Sequence, residues 1–162
     1  MNSATLLQQL LHGSPGERAV AAEHLAQQGA EAAYAACELT VACSDTEAVS
    51  EWAVAALEQV GSPPSSAIES LVSMTQFENP LTVYWAVTLL GRAGPDASVH
   101  QKVLITLLQH SEHLAIQEKA AWSLGRMRAK SLEATQALRQ ASLSPNKRLS
   151  RVATKSLQQT QI

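Results

Sequence analysis

The chain has 162 residues, of which 46% are hydrophobic, 4% aromatic and 16% charged, a size and balance that suit one domain with a packed core. Because alanine and leucine are abundant and aromatic residues few, the composition favours helices packed closely through small side chains over a β sandwich. The formal net charge of −2 excludes a chain that is basic overall, as a general nucleic-acid binder would be.

The charges are distributed unevenly along the chain. Residues 1–81 contain one basic and ten acidic side chains, a net charge of −9, whereas residues 82–162 contain eleven basic and four acidic ones, a net charge of +7. This asymmetry predicts a large charge dipole along the molecule. It also allows head-to-tail self-association, in which the basic end of one molecule meets the acidic end of another; such a contact would not close on itself without curvature.

The N-terminus Met1-Asn2-Ser3 lacks the basic and apolar segments of a signal peptide. No apolar run approaches the roughly 18 residues of a membrane span. We therefore expect a cytoplasmic protein, of bacterial type, that does not bind membranes. Cys37 and Cys43 are six residues apart, a spacing typical of neither a metal pair nor a redox motif, and we interpret both as small buried side chains.

Five segments of the chain align without internal gaps, and their last residues are 32, 33, 34 and 33 positions apart. Each segment has an alanine eight positions before its end and a leucine four positions before it. These residues are Ala21, Ala53, Ala86, Ala120 and Ala153, and Leu25, Leu57, Leu90, Leu124 and Leu157. Positions four apart share one helix face, where alanine lets a neighbouring helix approach and leucine fills the space beside it.

A second set of leucines, Leu39, Leu71, Leu104 and Leu138, follows the first four segments, and Leu7 lies one period earlier. We infer a second helix in each unit and predict five two-helix repeats, at about 1–29, 30–61, 62–94, 95–128 and 129–162. Glycines with a left-handed backbone are expected just past three of the helix ends, at Gly29, Gly61 and Gly94. The predicted N-caps are Asp45, Asn79 and Ser144. Glutamines near both termini could serve as polar end caps, so we expect a complete small protein.

The strings Leu89-Leu90-Gly91-Arg92 and Ser123-Leu124-Gly125-Arg126, with Asn79-Pro80 in a turn, resemble HEAT repeats, in particular the short bacterial type also found in phycobilisome-linked lyases. The resemblance covers the whole chain and implies an all-α fold, a right-handed α-α superhelix of about five two-helix repeats. The family's turn arginine is kept at Arg18 only. The usual ladder of Asp–Arg pairs is therefore largely missing, and alanine–leucine packing must carry the stacking.

We find no arrangement of residues typical of an enzyme's active site, so we predict a non-catalytic protein with no catalytic residues, no cofactor and no metal. The closest histidine pair, His110 and His113 with Glu112 between them, is interpreted as a solvated turn, because a metal site needs three or four converging ligands. A HEAT-like lyase or DNA-repair-type enzyme subunit is kept as an alternative.

The resemblance implies that the second helix of each pair lines a concave face. Two columns of mostly polar residues on these helices are expected to face solvent, and they include Glu118 and Thr88. Tyr84 and Trp122 interrupt the same columns in adjacent repeats and could form one aromatic patch, with Arg92 and Arg126 beside it. Aromatic and arginine side chains are common in hot spots of protein interfaces, so we predict that these six residues bind a protein segment. The alternative is that both rings pack over neighbouring helices.

Two further surfaces follow from the sequence. Lys147, Arg148, Arg151 and Lys155 form a basic cluster near the C-terminus, interpreted either as a solvated helix face or as a patch for an anionic partner, which could be an acidic protein segment or nucleic acid. The acidic first half argues against nucleic acid as the main partner. Trp52 and Trp85 share another column and are predicted to lie in the core between repeats. The sequence thus predicts a protein-interaction scaffold.

Overall fold

A computed structural model describes residues 2–161, and within this range all regular secondary structure is helical. Ten α-helices follow one another as five pairs: α1 Ser3–His12, α2 Pro15–Gln28, α3 Ala36–Ala42, α4 Glu47–Gln59, α5 Ile68–Met74, α6 Pro80–Ala93, α7 Gln101–His110, α8 Leu114–Arg126, α9 Leu132–Ser142 and α10 Lys147–Thr160. Short 3₁₀ helices, Gly29–Ala35, Ser65–Ala67 and Gly94–His100, lead into α3, α5 and α7. The predicted all-α solenoid of about five two-helix repeats is confirmed. No described helix is both long and apolar enough to cross a membrane.

Polar side chains cap the starts of α2, α6 and α10, and of the three predicted N-cap positions one is correct. The side chain of Asn79 accepts hydrogen bonds from two backbone N–H groups of α6, as predicted. Helix α4 instead begins after Thr46 and α10 after Asn146, not after Asp45 and Ser144. Asn146 caps α10 with its own carboxamide oxygen, so the hydroxyl of Ser144 accepts only the N–H of Asn146, at 3.2 Å.

The glycines expected at helix ends behave in two ways. Gly29 and Gly94 have positive φ angles, 59° and 64°, a conformation that glycine adopts without steric cost. Gly61 does not have this role. Helix α4 ends at Gln59, and Val60 already turns the chain with extended angles, φ −63° and ψ 124°, so the prediction for Gly61 was wrong.

The repeating alanine and leucine columns form the core. All five alanines of the column are fully buried, as are the first four leucines, and Leu157 is half-buried. The leucines of the first helices, Leu39, Leu71, Leu104 and Leu138, are also fully buried; each such leucine contributes about 2 kcal/mol through removal from water. Of the two tryptophans predicted to be core, Trp85 is buried but Trp52 is 39% exposed, so that prediction was wrong for Trp52.

Close approach of the second helices depends on small residues facing each other. A Cβ atom at Gly91 in α6 would lie 2.4 Å from the hydroxyl oxygen of Ser123 in α8, and one at Gly125 would lie 2.7 Å from that of Ser156 in α10. Helices α6, α8 and α10 therefore pack directly side by side, and so do α2 and α4. This is the close helix packing that small side chains permit.

The stacking changes between the second and third pairs. Here α6 packs against α3 and makes only sparse backbone contact with α4. The positions that correspond to Gly91 and Ser123 are occupied at this joint by Glu58 and Leu89, whose side chains are too large for close approach. Arg92 spans the joint instead.

Arg92 fixes the end of α4 from across this joint. Its guanidinium donates hydrogen bonds to the carbonyl oxygens of Val60 and Leu57, the latter at 2.6 Å, and so satisfies carbonyls that the helix end leaves unpaired. The guanidinium carbon also lies 5.6 Å from the ring centroid of the buried Trp85. Because the group is half-buried, desolvation lowers the pKa of Arg92.

One ion pair ties the first two helix pairs together. The Nε and Nη2 atoms of Arg18 lie 2.6 and 2.8 Å from the carboxylate oxygens of Asp45, and Nη1 donates to the carbonyl oxygen of Gly13. The Arg18 guanidinium, through these hydrogen bonds, holds the pKa of Asp45 below its usual range. The single retained turn arginine therefore performs locally what a ladder of such pairs would do along the stack.

This ion pair predicts a defined pH dependence of stability. The pKa of Asp45 is lower in the folded state, so the pair stabilises the fold fully above the unfolded value of about 3.9, and this stabilisation is lost as the pH falls through the folded value. We expect Asp45→Asn to lower the free energy of unfolding by about 1 kcal/mol at neutral pH and to cost less in acid. Urea denaturation followed by circular dichroism, at neutral and at acidic pH, measures the free energy of unfolding of both proteins. Glu78→Gln, at an exposed turn, is the control, and an equal cost of Asp45→Asn at both pH values would contradict the prediction.

Candidate functional site

A groove of about 690 Å³ runs across the second helices of the last three pairs. Its lining is mainly apolar and aromatic, with a few charged side chains. The lining residues are Pro80, Leu81 and Tyr84 from α6, His113, Ala115, Ile116, Glu118, Lys119 and Trp122 at and within α8, and Arg148 and Val152 from α10. A groove of this size and lining can hold a small ligand or part of a peptide.

The two aromatic rings predicted to form a patch both line this groove, and a lysine joins them. The Nζ atom of Lys119 lies 5.2 Å from the ring centroid of Tyr84 and 4.8 Å from that of Trp122. These distances are typical of cation–π contacts. Tyr84 also stands edge-on to Trp85, with centroids 5.5 Å apart and ring planes at 90°, so its ring is fixed from the core side.

The position of Trp122 depends on the glycine beneath it. A Cβ atom at Gly91 would lie 2.5 Å from the Cζ3 atom of Trp122, so the indole ring lies directly against α6. Next to it, the buried hydroxyl of Ser123 donates to the carbonyl oxygen of Val87 at 2.8 Å. The ring of Trp122 is thus half-buried packing and groove wall at the same time.

A salt bridge forms another part of the groove wall and joins the aromatic patch to the basic cluster. The Nε atom of Arg148 lies 3.0 Å from a carboxylate oxygen of Glu118, whose side chain is only 11% exposed, whereas that of Arg148 is 80% exposed. Glu118 therefore lies against α10 with its charge compensated.

Three residues of the predicted site do not line the groove. Arg92 is directed to the end of α4, so its assignment to the aromatic patch was wrong. Thr88 was expected to face solvent but is buried; its hydroxyl is satisfied there, since it donates to the carbonyl oxygen of Tyr84 at 2.7 Å. Arg126 is exposed and its guanidinium carbon lies 6.0 Å from the ring centroid of Trp122, but it does not line the groove.

The sequence reasoning missed the apolar lining of the groove, which includes Leu81 and Val152, and it also missed Lys119. Lys119 follows Glu118 directly and lies at the same repeat position as Trp52 and Trp85, a column assigned to the core. A charged residue in that column was the signal that this position reaches the surface in the fourth repeat.

The basic cluster is exposed along α10. Lys147, Arg148, Arg151 and Lys155 are all exposed, and the first, third and fourth of them are spaced by four residues, so they share one face of the helix. Over whole helices, α6, α8 and α10 carry seven basic residues and one acidic residue, whereas α2 and α4 carry five acidic residues and one basic residue. The row of second helices therefore changes sign at the joint between α4 and α6.

The remaining chemically reactive side chains are dispersed. Among residues 2–161, no group of three or more histidine, cysteine, aspartate or glutamate side chains is placed to hold a metal ion. Burial raises the pKa of the Cys43 thiol to about 12, so this thiol stays protonated and unreactive at neutral pH.

Comparison with known proteins gives one family match. Residues 68–158, which run from α5 into α10, match the family described as HEAT repeats. Among proteins with curated descriptions, none matches the chain.

Three solved structures with a similar fold are those of two engineered proteins and one designed repeat protein. An engineered protein from the Northeast Structural Genomics Consortium is 21% identical, with a TM-score of 0.66 over 99% of this chain and 80% of its own length. A second one is 18% identical, with a TM-score of 0.68 over 97% and 47%. A designed armadillo repeat protein in complex with the peptide (KR)4 is 17% identical, with a TM-score of 0.64 over 96% and 80%. At these identities the likeness shows the fold alone.

Proposed function

The chain belongs to the HEAT-repeat family, and from this premise we propose that it is a non-catalytic scaffold that binds a segment of a partner protein in the groove across α6, α8 and α10. The observation that carries the proposal is the pair of half-buried rings, Tyr84 and Trp122, which face one groove together with aliphatic side chains. Large aromatic side chains in a partly enclosed apolar groove are typical anchors of protein interfaces.

The lining residues of the groove offer both apolar and charged contacts to a partner. Pro80, Leu81 and Val152 supply apolar surface in the same groove as the rings, where a partner's aliphatic or aromatic side chain would be removed from water. Lys119 and Arg148 supply charge at the same place. The designed armadillo repeat protein of similar fold was solved with a bound peptide, which supports the view that a helical stack of this length offers room for one.

The basic cluster on α10 would assist binding in the groove but would not be the main binding site. Its exposed side chains would attract a partner from a distance, and interactions of this kind weaken as salt is added. The apolar groove would supply the contacts that persist at high salt. A partner bound only by the cluster would instead be released at high salt. Capture of the partner at low and at high salt therefore separates the two cases.

We expect Trp122→Ala to weaken capture of the partner at least about tenfold, the loss typical of an interface hot spot, without changing the helical content. Purified wild-type and variant proteins would be used as bait in lysate of the source cells at low and high salt, with quantitative mass spectrometry of the retained proteins and circular dichroism of the baits. Trp52→Ala is the matched control, because Trp52 is a partly exposed tryptophan of α4 outside the groove.

Unchanged capture by Trp122→Ala would show that the groove is not the binding site. If the retained material is equal for wild type and variant and is released by salt, the site is the basic cluster on α10.

A further inference from the structure

We infer that the segment held in this groove is acidic as well as apolar: its carboxylates pair with Lys119 and with the basic side chains of α10, while its apolar side chains contact Tyr84 and Trp122. This inference rests on the proposed function and assigns the chemistry of the partner. It follows from which positions in the groove are already occupied by the protein's own charges.

The cation-binding positions of the two rings are taken. Lys119 lies over both rings, and Arg126 also approaches Trp122. A lysine or arginine of a partner would have to displace Lys119 from the rings and would be repelled by it at the same time. A carboxylate, in contrast, can pair with the ammonium group of Lys119 while that group stays over the rings.

The groove offers no compensating site for a basic partner. Its one acidic side chain, Glu118, is nearly buried and already lies 3.0 Å from Arg148. Arg151 and Lys155, on the same helix as Arg148, are also exposed. The three helices that line the groove carry a net charge of +6, from seven basic residues and one acidic residue. This potential favours an acidic ligand and speeds its approach.

The surroundings of the rings favour a protein segment over a nucleic acid. Single-stranded nucleic acids bind through bases stacked on open aromatic faces and phosphates that follow a line of cations. Here, Lys119 lies over both rings, and Trp122 lies against Gly91. The neighbouring lining is aliphatic, with Leu81 and Val152, which suits leucine, isoleucine or phenylalanine side chains between carboxylates.

The test uses a phage-displayed library of random peptides, selected on the wild-type protein and on Trp122→Ala in parallel. We expect peptides enriched only on wild type to combine aspartate or glutamate with large apolar residues. One such peptide would then be synthesised with a fluorescent label, beside a counterpart in which every carboxylate is replaced by an amide. The amide counterpart should bind at least about tenfold more weakly by fluorescence polarisation, because it loses its charge-assisted contacts.

A double charge reversal in the protein tests whether the basic side chains of α10 contribute to binding of the acidic peptide. Arg151→Glu with Lys155→Glu should weaken binding of the acidic peptide at least about tenfold. The matched control, Lys102→Glu with Lys130→Glu, makes the same change in net charge at exposed positions that are not on α6, α8 or α10, the helices that line the groove. It should change binding by less than about twofold, because exposed charges that are not on the groove-lining helices are screened by salt. Circular dichroism of both variants checks that they are folded.

The other outcomes overturn the inference in distinguishable ways. Neutral or basic peptides that depend on Trp122 would refute an acidic partner while leaving the groove as the binding site. An enrichment that does not depend on Trp122 would refute the proposed function as well. Displacement of the acidic peptide by a thymidine oligonucleotide, with tighter binding of the oligonucleotide, would assign the groove to nucleic acid. A dimer in sedimentation experiments that the peptide dissociates would assign it to a second copy of the chain.

Discussion

Replacing Arg92 by methionine is expected to lower the free energy of unfolding by about 3 kcal/mol, because it removes hydrogen bonds from a charged group and leaves carbonyls at a helix end without partners. The carbonyl oxygens of Leu57 and Val60 at the end of α4 receive those hydrogen bonds from across the joint. Methionine keeps the apolar stem beside Trp85 and removes only the guanidinium. Urea denaturation followed by circular dichroism measures the loss.

Arg126→Met is the matched control for this substitution. Arg126 occupies the same repeat position as Arg92, but it is exposed and only approaches the ring of Trp122. We expect its replacement to change stability by less than about 0.5 kcal/mol, as for other surface positions. Equal costs for the two substitutions would show that the end of α4 does not depend on the guanidinium of Arg92.

The same substitution should also change the cooperativity of unfolding. Helical repeats are stabilised mainly by their neighbours, and α4 and α6 make only sparse backbone contact. Without Arg92, we expect α1–α4 to open before α5–α10, which hydrogen exchange would show as earlier loss of protection in the first four helices. This weak point coincides with the change in sign of the charges along the second helices.

The repeat pattern predicted most of the fold because its repeated positions are the ones that are buried in the structure. Alanines eight positions and leucines four positions before each segment end are small and large residues of one buried face, and periodicity is sufficient to identify such a face. The joint was missed because the alignment treated all interfaces between repeats as equivalent. The difference lies in Glu58 and Leu89, which occupy positions that hold Gly91 and Ser123 one repeat later.

The candidate site was less predictable because its polar side chains are directed by partners that the repeat pattern does not contain. Thr88 can be buried without an unpaired hydroxyl, because that hydroxyl donates to the carbonyl oxygen of Tyr84 in its own helix. Arg92 has a long side chain whose direction is decided by the carbonyls of another repeat. The position of Tyr84 and Trp122 was easier to infer, because their two columns are four positions apart and so share one helix face, which continues across adjacent repeats.

Replacing Gly91 by valine is the second substitution with a large expected effect, a loss of about 3 kcal/mol in the free energy of unfolding from overpacking. Its Cβ atom alone would lie 2.4 Å from the hydroxyl oxygen and 2.9 Å from the Cβ atom of Ser123. The short Ser123 side chain cannot move aside as a flexible one could, so α6 and α8 must separate. The same Cβ atom would push the ring of Trp122 out of its position in the groove wall.

Gly16→Val is the control, because a Cβ atom at Gly16 meets no atom within 4 Å, and its effect should stay within about 0.5 kcal/mol. Denaturation midpoints of the two variants test the packing, and binding of the acidic peptide to the folded Gly91→Val protein tests the groove. If Gly91→Val is as stable as Gly16→Val, the close approach of α6 and α8 is not needed for the fold. If it is destabilised but binds the peptide normally, the position of Trp122 does not depend on Gly91, and the groove tolerates separation of the helices that line it.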